Sequence, residues 1–274
     1  MASNIVTEQQ LLNSGATVDP DAIFREFNGI RVGGLTLPMP PAPVGGDSVG
    51  AVAVGDGFVS FITDGQGKGT VASHLGTMMR HCVLNAISGG TTSPTAILHK
   101  LNHALMDEHI FGAAAILHCD GSRLTASVAG FPAPALFHPD GRMEQIPITG
   151  TILGFSSLPE FDSCTRDILP STFVTIFSDG VTEAEAPDGE LFALERFAEI
   201  LDSDRSMAAN VLQCVDAVLT HSRLQQDDIS LLIAQTGGLR GAAAHPAFRI
   251  ASDYQTAEMP ILMHSCVGRL ATVI

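Results

Sequence analysis

Short apolar runs with the period of β-strands recur along most of this 274-residue chain. Residues 29–37 alternate between apolar and polar positions, and the runs Val49–Val54 and Phe58–Thr63 are separated by Gly55-Asp56-Gly57. A short glycine-containing connection between two β-rich runs is typical of a hairpin. Similar runs predict further strands at residues 112–118, 124–129, 135–138, 143–146, 164–168, 173–178 and 229–234.

Two pairs of amphipathic segments interrupt these strands. Apolar residues recur three to four positions apart after Thr70, and Gly89-Gly90 ends the helix that this spacing predicts. Ser93 and Pro94 have the residue types of a helix N-cap and a first helical position, so a second helix should follow directly. A second pair of helices is predicted at about Leu191–Leu201 and Met207–His221.

The order of these elements indicates the fold class. Hairpin-joined strands that alternate with helix pairs predict antiparallel sheets with helices outside, rather than a doubly wound parallel sheet. We expect a folded domain at residues 29–236. It would be preceded by a polar segment at 1–28, with a short helix near Thr7–Asn13, and followed by an Ala- and Gly-rich appendage of unknown role at 237–274.

Composition and charge narrow the classes of partner. Apolar residues make up 45% of the chain, enough for a sizeable core, and the net charge is −15. An acidic balance of this size argues against nucleic acid or an anionic membrane surface as the main partner. Five scattered cysteines are typical of reduced thiols in the cytosol. With no signal-peptide pattern and no run of 18 apolar residues, we expect a cytoplasmic protein.

Two of the predicted strands end in the same way. Phe58–Thr63 runs into Asp64-Gly65, and Phe173–Ser178 runs into Asp179-Gly180. A buried strand fixes the direction of the carboxylate, and the glycine lets the chain turn away without a Cβ atom in the way. Two carboxylates held in this manner predict a site for a hard cation such as Mg²⁺ or Mn²⁺, which prefer oxygen ligands.

The glycine-rich turn Asp64–Gly69 also invites a nucleotide-binding interpretation, because such strand-to-helix turns cradle phosphates. A P-loop requires Ser or Thr after its lysine, and here Gly69 follows Lys68. His99 and His103 have the i, i+4 spacing of a metal pair, but the glutamate of a zinc-protease motif is missing. A packed or solvated helix face is the simpler interpretation of these two histidines.

The ordered set of motifs resembles the metal-dependent protein phosphatases (PPM), specifically their bacterial SpoIIE-type branch. The matching segments are Val44–Asp47, Asp64–Ala72, Leu101-Asn102, Ala129–Pro134, Leu153-Gly154, Ser178–Ala184 and Asp227–Ser230. The resemblance implies an α+β fold, a four-layer α-β-β-α sandwich of two mainly antiparallel sheets flanked by helix pairs. It also implies a centre of two Mn²⁺ or Mg²⁺ ions between the sheets.

The resemblance further implies roles for individual residues. Asp64 would bridge both ions, and Asp64 and Asp179 would be the residues most important for catalysis by a hydroxide formed between the metals. Lys68 is a candidate for contacting the phosphate or the substrate. The implied metal ligands are Asp47, Asp64, the Gly65 carbonyl, Asp179 and one of Asp227 and Asp228, with Asp227 in the usual ligand position.

The function implied by the resemblance is hydrolysis of phosphoserine or phosphothreonine on a bacterial signalling protein, for example a STAS-domain anti-sigma-factor antagonist. A catalytically silent phosphatase fold that only binds its partner is the main alternative, although every expected acidic residue is present. A nucleotide-binding protein would instead bind ATP without needing Asp179. The sequence leaves the oligomeric state open.

Overall fold

The computed structural model describes residues 22–222 and 224–237. All of these residues belong to one compact unit of the chain. The short helix expected near Thr7–Asn13 and nearly all of the appendage expected at 237–274 lie outside the described residues. In the part of the chain that is described, no helix is both long and apolar enough to cross a membrane.

The described residues form two sheets in which every strand pairing is antiparallel. The strands are β1 (Ala22–Phe27), β2 (Ile30–Leu37), β3 (Asp47–Val54), β4 (Gly57–Gly65), β5 (Gly112–Asp120), β6 (Arg123–Ala129), β7 (Ala135–Phe137), β8 (Met143–Gln145), β9 (Ser163–Asp167), β10 (Phe173–Phe177) and β11 (Ile229–Gln235). One sheet has the order β1-β2-β11-β10-β7-β8, and the other has the order β3-β4-β5-β6-β9.

Five helices lie within the described ranges: α1 (Gly69–Ser88), α2 (Pro94–Asp107), α3 (Asp179–Thr182), α4 (Arg196–Ile200) and α5 (Met207–His221). The predicted boundaries of the first two helices are confirmed by their caps. The Ser93 hydroxyl accepts a hydrogen bond from the Ala96 amide at 3.5 Å, and α1 ends at Gly89, whose amide donates to the Asn85 carbonyl.

The core follows the two-residue period of the strands, whose side chains alternate between the two faces of a sheet. In β4, Phe58 and Ile62 enter the cluster between the sheets, whereas Val59 and Phe61 belong to the cluster shared with α1 and α2. The outer face of the other sheet shares its cluster with α5. The predicted four-layer sandwich is therefore confirmed. Burial of each large apolar side chain in these clusters stabilises the fold by about 1.5–3 kcal/mol.

Two details differ from the sequence-based expectations. The sequence predicts a separate N-terminal segment at residues 1–28, but Ala22–Phe27 within it pairs along its whole length with β2. The turn between them is Asn28-Gly29, and both residues have positive φ, as a two-residue hairpin connection requires. Strand pairing across this turn therefore extends the sheet beyond the predicted domain start at residue 29.

The helix predicted at Leu191–Leu201 is much shorter than expected, because only Arg196–Ile200 is helical. Around the turn at Gly189, the Ala186 amide donates to the Glu190 carbonyl at 2.8 Å, and the Phe192 amide donates to Ala184 at 2.9 Å. These bonds direct the backbone at the start of the predicted helix into a hairpin-like pairing. The apolar spacing of the segment reflects burial of Phe192, Leu194 and Phe197 rather than continuous helix.

Candidate metal centre

Asp47 and Asp64 lie opposite each other at one end of the five-stranded sheet. Asp47 is the first residue of β3, and its register partner on β4 is Asp64. Both occupy strand positions of the same parity as Val49 and Ile62, whose side chains lie between the sheets. The Gly65 amide donates to the Gly46 carbonyl at 3.1 Å, which extends the pairing past the two acids. The sheet register therefore brings the two carboxyl groups within hydrogen-bonding reach.

The surroundings of this pair disfavour two negative charges. Burial, and then the charge of Asp64, raise the pKa of Asp47 well above its ordinary value, while the Ser230 hydroxyl acts in the opposite direction. Burial, and then the charge of Asp179, raise the pKa of Asp64 to about 7. Without a cation, such a pair retains a proton, because two adjacent buried carboxylates repel each other.

One carboxylate oxygen of this pair has no hydrogen-bond partner in the part of the chain that the structure describes. Asp47 Oδ2 is buried and accepts no hydrogen bond from the described residues. Leaving a buried carboxylate oxygen unpaired is costly, so nearly all such groups have a partner. A cation at this position would supply that partner and remove the repulsion between Asp47 and Asp64.

The other sheet contributes a second group of acids at the same end of the sandwich. Asp179 follows β10, and Asp227 precedes the neighbouring strand β11. Asp179 is exposed as a whole residue. Its pKa is nevertheless raised, first by partial burial of its carboxyl group and then by the charges of Asp227 and Glu183. Asp179 and Asp227 are also among the charges that act on Asp64. The two sheets thus contribute acids to one continuous cluster.

The structure distinguishes the neighbouring acids Asp227 and Asp228, which the sequence left as alternatives. Asp228 Oδ1 accepts a hydrogen bond from the Met39 amide at 2.7 Å, and its Oδ2 accepts one from the Gly46 amide at 2.8 Å. Asp227 is exposed, and its Oδ1 accepts a hydrogen bond from the Asp228 amide at 2.9 Å. Both oxygens of Asp228 therefore accept hydrogen bonds from backbone amides, whereas Asp227 is exposed and accepts its backbone hydrogen bond on Oδ1.

Lys68 lies at the rim of this cluster. Its ammonium group donates to the Gln226 carbonyl at 3.2 Å and is 3.9 Å from Asp227 Oδ1. More than half of both charged side chains is exposed, so solvent screens this ion pair. His99 and His103 lie on helix α2 and are exposed. The His99 ring packs edge-on against Phe161, with 5.0 Å between the ring centroids. Neither histidine is among the groups that act on the pKa values of Asp47, Asp64 and Asp179.

The sequence analysis did not single out Ser178, whose buried hydroxyl is hydrogen-bonded to the segment that carries Asp227 and Asp228. Ser178 Oγ donates to the Asp228 carbonyl at 3.1 Å and accepts from the Ser230 amide at 2.9 Å. A serine at the end of an otherwise apolar run, directly before Asp179, was the available signal. A polar residue at such a position is usually hydrogen-bonded when it is buried.

The chemistry of this donor set fits magnesium or manganese. Among residues 22–222 and 224–237, no three His, Cys, Asp or Glu side chains are placed to hold an ion directly by themselves. Mg²⁺ usually keeps several water molecules and is bound through only one or two carboxylates, so a fully closed protein shell is not required. The unpaired Asp47 oxygen and the absence of sulfur or imidazole from the acid cluster favour a hard, hydrated cation.

Comparisons with known proteins agree with this fold. The RsbX structure in complex with magnesium has a TM-score of 0.62 at 18% identity, covering 78% of this chain and 98% of that one. The structure of the PP2C phosphatase domain and a regulatory fragment of SpoIIE from Bacillus subtilis has a TM-score of 0.66 at 15% identity. The match covers 79% of this chain and 65% of that one. The catalytic domain of the serine/threonine phosphatase PstP with two manganese ions has a TM-score of 0.60 at 15% identity. The match covers 76% of this chain and 99% of that one.

Sequence comparison gives the family. A search of curated proteins found no match. The family model described as stage II sporulation protein E (SpoIIE) matches residues 55–237, which is more than half of the chain. Together with the two-sheet fold, this match shows that the chain belongs to the SpoIIE family, a bacterial branch of the metal-dependent protein phosphatases.

Proposed function

We propose that this protein is a Mn²⁺- or Mg²⁺-dependent phosphatase that hydrolyses phosphoserine or phosphothreonine on another protein. The observation that carries the proposal is the pair Asp47 and Asp64. They are register partners, and Asp47 Oδ2 is buried with no hydrogen-bond partner within residues 22–222 and 224–237. The magnesium in the RsbX structure and the two manganese ions in the PstP structure support the same cofactors here.

The proposed ligands divide between the two sheets. We propose Asp64 as the ligand that links the acids of the two sheets, because Asp47 lies opposite it and the charges of Asp179 and Asp227 also act on it. Asp47 and the Gly65 carbonyl would contribute from the five-stranded sheet, and Asp179 and Asp227 from the other. When bound, the ions would lower the pKa of a coordinated water and neutralise phosphoryl oxygens.

The residues of this chain would orient the substrate and the ions rather than form a covalent intermediate. Lys68 is a cationic side chain beside Asp227, and its exposure to solvent supports a contact with an incoming phosphate. We propose Lys68 as the contact for the phosphate or for an acidic part of the substrate.

For the substrate, we propose a bacterial signalling protein in the cytoplasm, such as a STAS-domain anti-sigma-factor antagonist. This finer assignment rests on the resemblance to the SpoIIE-type branch and on the fold shared with RsbX and SpoIIE. The strong negative charge of the chain is also compatible with a protein partner that presents a basic surface.

The test is an assay of the purified full chain with Mn²⁺ on p-nitrophenyl phosphate and on a phosphoserine-containing STAS-domain protein. We expect turnover that requires Mn²⁺ and is strongly reduced in Asp64→Asn and Asp179→Asn. Undiminished activity in both variants would contradict the metal mechanism. Partner binding without any metal-dependent turnover would instead favour the catalytically silent alternative.

A further inference from the structure

We propose that Asp228 is a positioning residue that joins the three segments carrying Asp47, Asp179 and Asp227, and that it is not itself a metal ligand. This inference rests on the proposed function, because it concerns how those three acids are held for an ion. Three different parts of Asp228 make the connections: its carboxylate, its backbone carbonyl and its backbone amide.

The carboxylate of Asp228 holds the segment that leads into Asp47. Its two oxygens accept hydrogen bonds from the Met39 and Gly46 amides at 2.7 and 2.8 Å. Bonds between an ionised acceptor and backbone amides are about twice as strong as neutral ones. Because Gly46 directly precedes Asp47, these bonds fix the point at which the chain enters β3.

The fit of this carboxylate is tight. A Cβ atom at Gly45 would overlap Asp228 Oδ2, so the backbone passes closely over the carboxylate at this residue. The carboxylate of Asp228 thus packs against the Gly45 backbone in addition to its two hydrogen bonds, and a larger residue at position 45 would have to displace it. Such packing favours a fixed carboxylate over one that can turn towards an ion.

The backbone carbonyl of Asp228 holds the segment that carries Asp179. It accepts a hydrogen bond from the Ser178 hydroxyl at 3.1 Å. A Cβ atom at Gly180 would overlap the same carbonyl, so the residues on both sides of Asp179 contact Asp228. Asp179 follows the end of its strand and lacks the ladder that fixes Asp64, so these contacts replace strand pairing.

The amide of Asp228 holds the third acid. It donates to Asp227 Oδ1 at 2.9 Å and so orients one oxygen of that carboxylate. Asp228 therefore contacts a neighbour of Asp47, both neighbours of Asp179, and Asp227 itself. Groups that orient metal ligands typically change metal affinity or activity by about 10–100-fold when they are removed.

The first experiment compares Asp228→Asn and Asp228→Ala with wild type and with the matched variant Asp227→Asn. Free Mn²⁺ is measured by electron paramagnetic resonance during titration of the full chain, which gives both affinity and the number of ions bound. We expect both Asp228 variants to bind the wild-type number of ions at saturation with about 10-fold weaker affinity. Asp227→Asn should lose an ion within the same Mn²⁺ range.

A second variant tests position without changing any charge. Gly45→Ala places a Cβ atom against Asp228 Oδ2 and should displace that carboxylate. We expect it to reproduce the weaker Mn²⁺ affinity of Asp228→Ala at an unchanged number of ions. Gly89→Ala, at the end of α1 and outside the acid cluster, is the matched glycine control and should bind Mn²⁺ like wild type.

The outcomes separate the inference from the proposed function. Loss of one ion at saturation in Asp228→Asn would make Asp228 a ligand, and a lower melting temperature with unchanged Mn²⁺ affinity would make its role purely structural. Either result overturns the inference while wild-type binding and turnover remain intact. A wild-type chain that binds no Mn²⁺ would overturn the proposed function and the inference together.

Discussion

The two halves of the acid cluster are held by different means. Asp47 and Asp64 are strand residues, directly paired and largely buried between the sheets. Asp179 and Asp227 lie just outside their strands, are exposed, and depend on hydrogen bonds made by Ser178 and Asp228. We call Asp47 and Asp64 the strand half and Asp179 and Asp227 the loop half. Strand pairing fixes the position of the strand half, and the pKa values of its two acids are strongly raised. The loop half instead depends on a few hydrogen bonds that a single substitution can remove.

The largest effect should come from Asp64→Asn, because Asp64 lies in the strand half and interacts electrostatically with the loop half. We expect kcat/KM on p-nitrophenyl phosphate to fall at least about 100-fold, since metal stabilisation of the transition state is worth several kcal/mol. Asp56→Asn, in the turn at the far end of the β3–β4 hairpin, is the matched control and should stay within about twofold of wild type. Equal losses in the two variants would contradict a role specific to Asp64.

The next largest effect should be a pH dependence of the free energy of unfolding, caused by the raised pKa of Asp64 in the strand half. The pKa of Asp64 in the folded chain is raised to about 7 from 3.8, so the folded state holds this proton more tightly than the unfolded state. In EDTA, the free energy of unfolding should therefore fall as pH rises from about 4 to 7, by about 1–3 kcal/mol. Urea unfolding at several pH values measures this slope.

Comparison with Asp64→Asn isolates that contribution from other titrating groups. Asparagine does not ionise, so the variant should show a shallower loss of stability over the same pH range and should be more stable than wild type near pH 8. Parallel curves for the two proteins would show that Asp64 does not carry the pH dependence.

Two buried serines offer the next comparison of the halves. Ser178→Ala removes the partner of the buried Ser230 amide and of the Asp228 carbonyl, and should lower the free energy of unfolding by about 1–3 kcal/mol. Ser60→Ala, in the middle of β4, removes a buried hydroxyl that has no partner among the described residues. Its effect should be neutral or slightly stabilising. A similar loss for both serines, measured by urea unfolding, would contradict this distinction.

The smallest expected effect concerns Lys68 at the rim of the loop half. Its exposed ion pair with Asp227 contributes at most about 1 kcal/mol, so Lys68→Ala should hardly change the melting temperature. We expect KM for a phosphoprotein to rise about threefold to tenfold through loss of one charged hydrogen bond. Lys100→Ala, on helix α2, is the matched control; an identical KM change there would point to general charge rather than to a phosphate contact.

The sequence by itself determined most of the element order and the family. Strand and helix periods, the Ser93-Pro94 start and the Gly89-Gly90 end all depend on neighbours along the chain, so they could be predicted locally. The two Asp-Gly strand ends were visible for the same reason. The strand at Ala22–Phe27 is not predicted, although Asn28-Gly29 is a hairpin signal. The helix predicted from Leu191 is too long, because the backbone hydrogen bonds around Gly189 take the place of its first turns.

Only the tertiary structure decided how the two adjacent acids before β11 differ. The sequence offers both Asp227 and Asp228 as candidate ligands, and only the resemblance favours Asp227, by its position in the motif. The amides that engage Asp228 belong to Met39 and Gly46, which are 189 and 182 residues away in the chain. Those amides reach Asp228 because the two sheets pack face to face, and no local propensity encodes which long-range donors a carboxylate will meet.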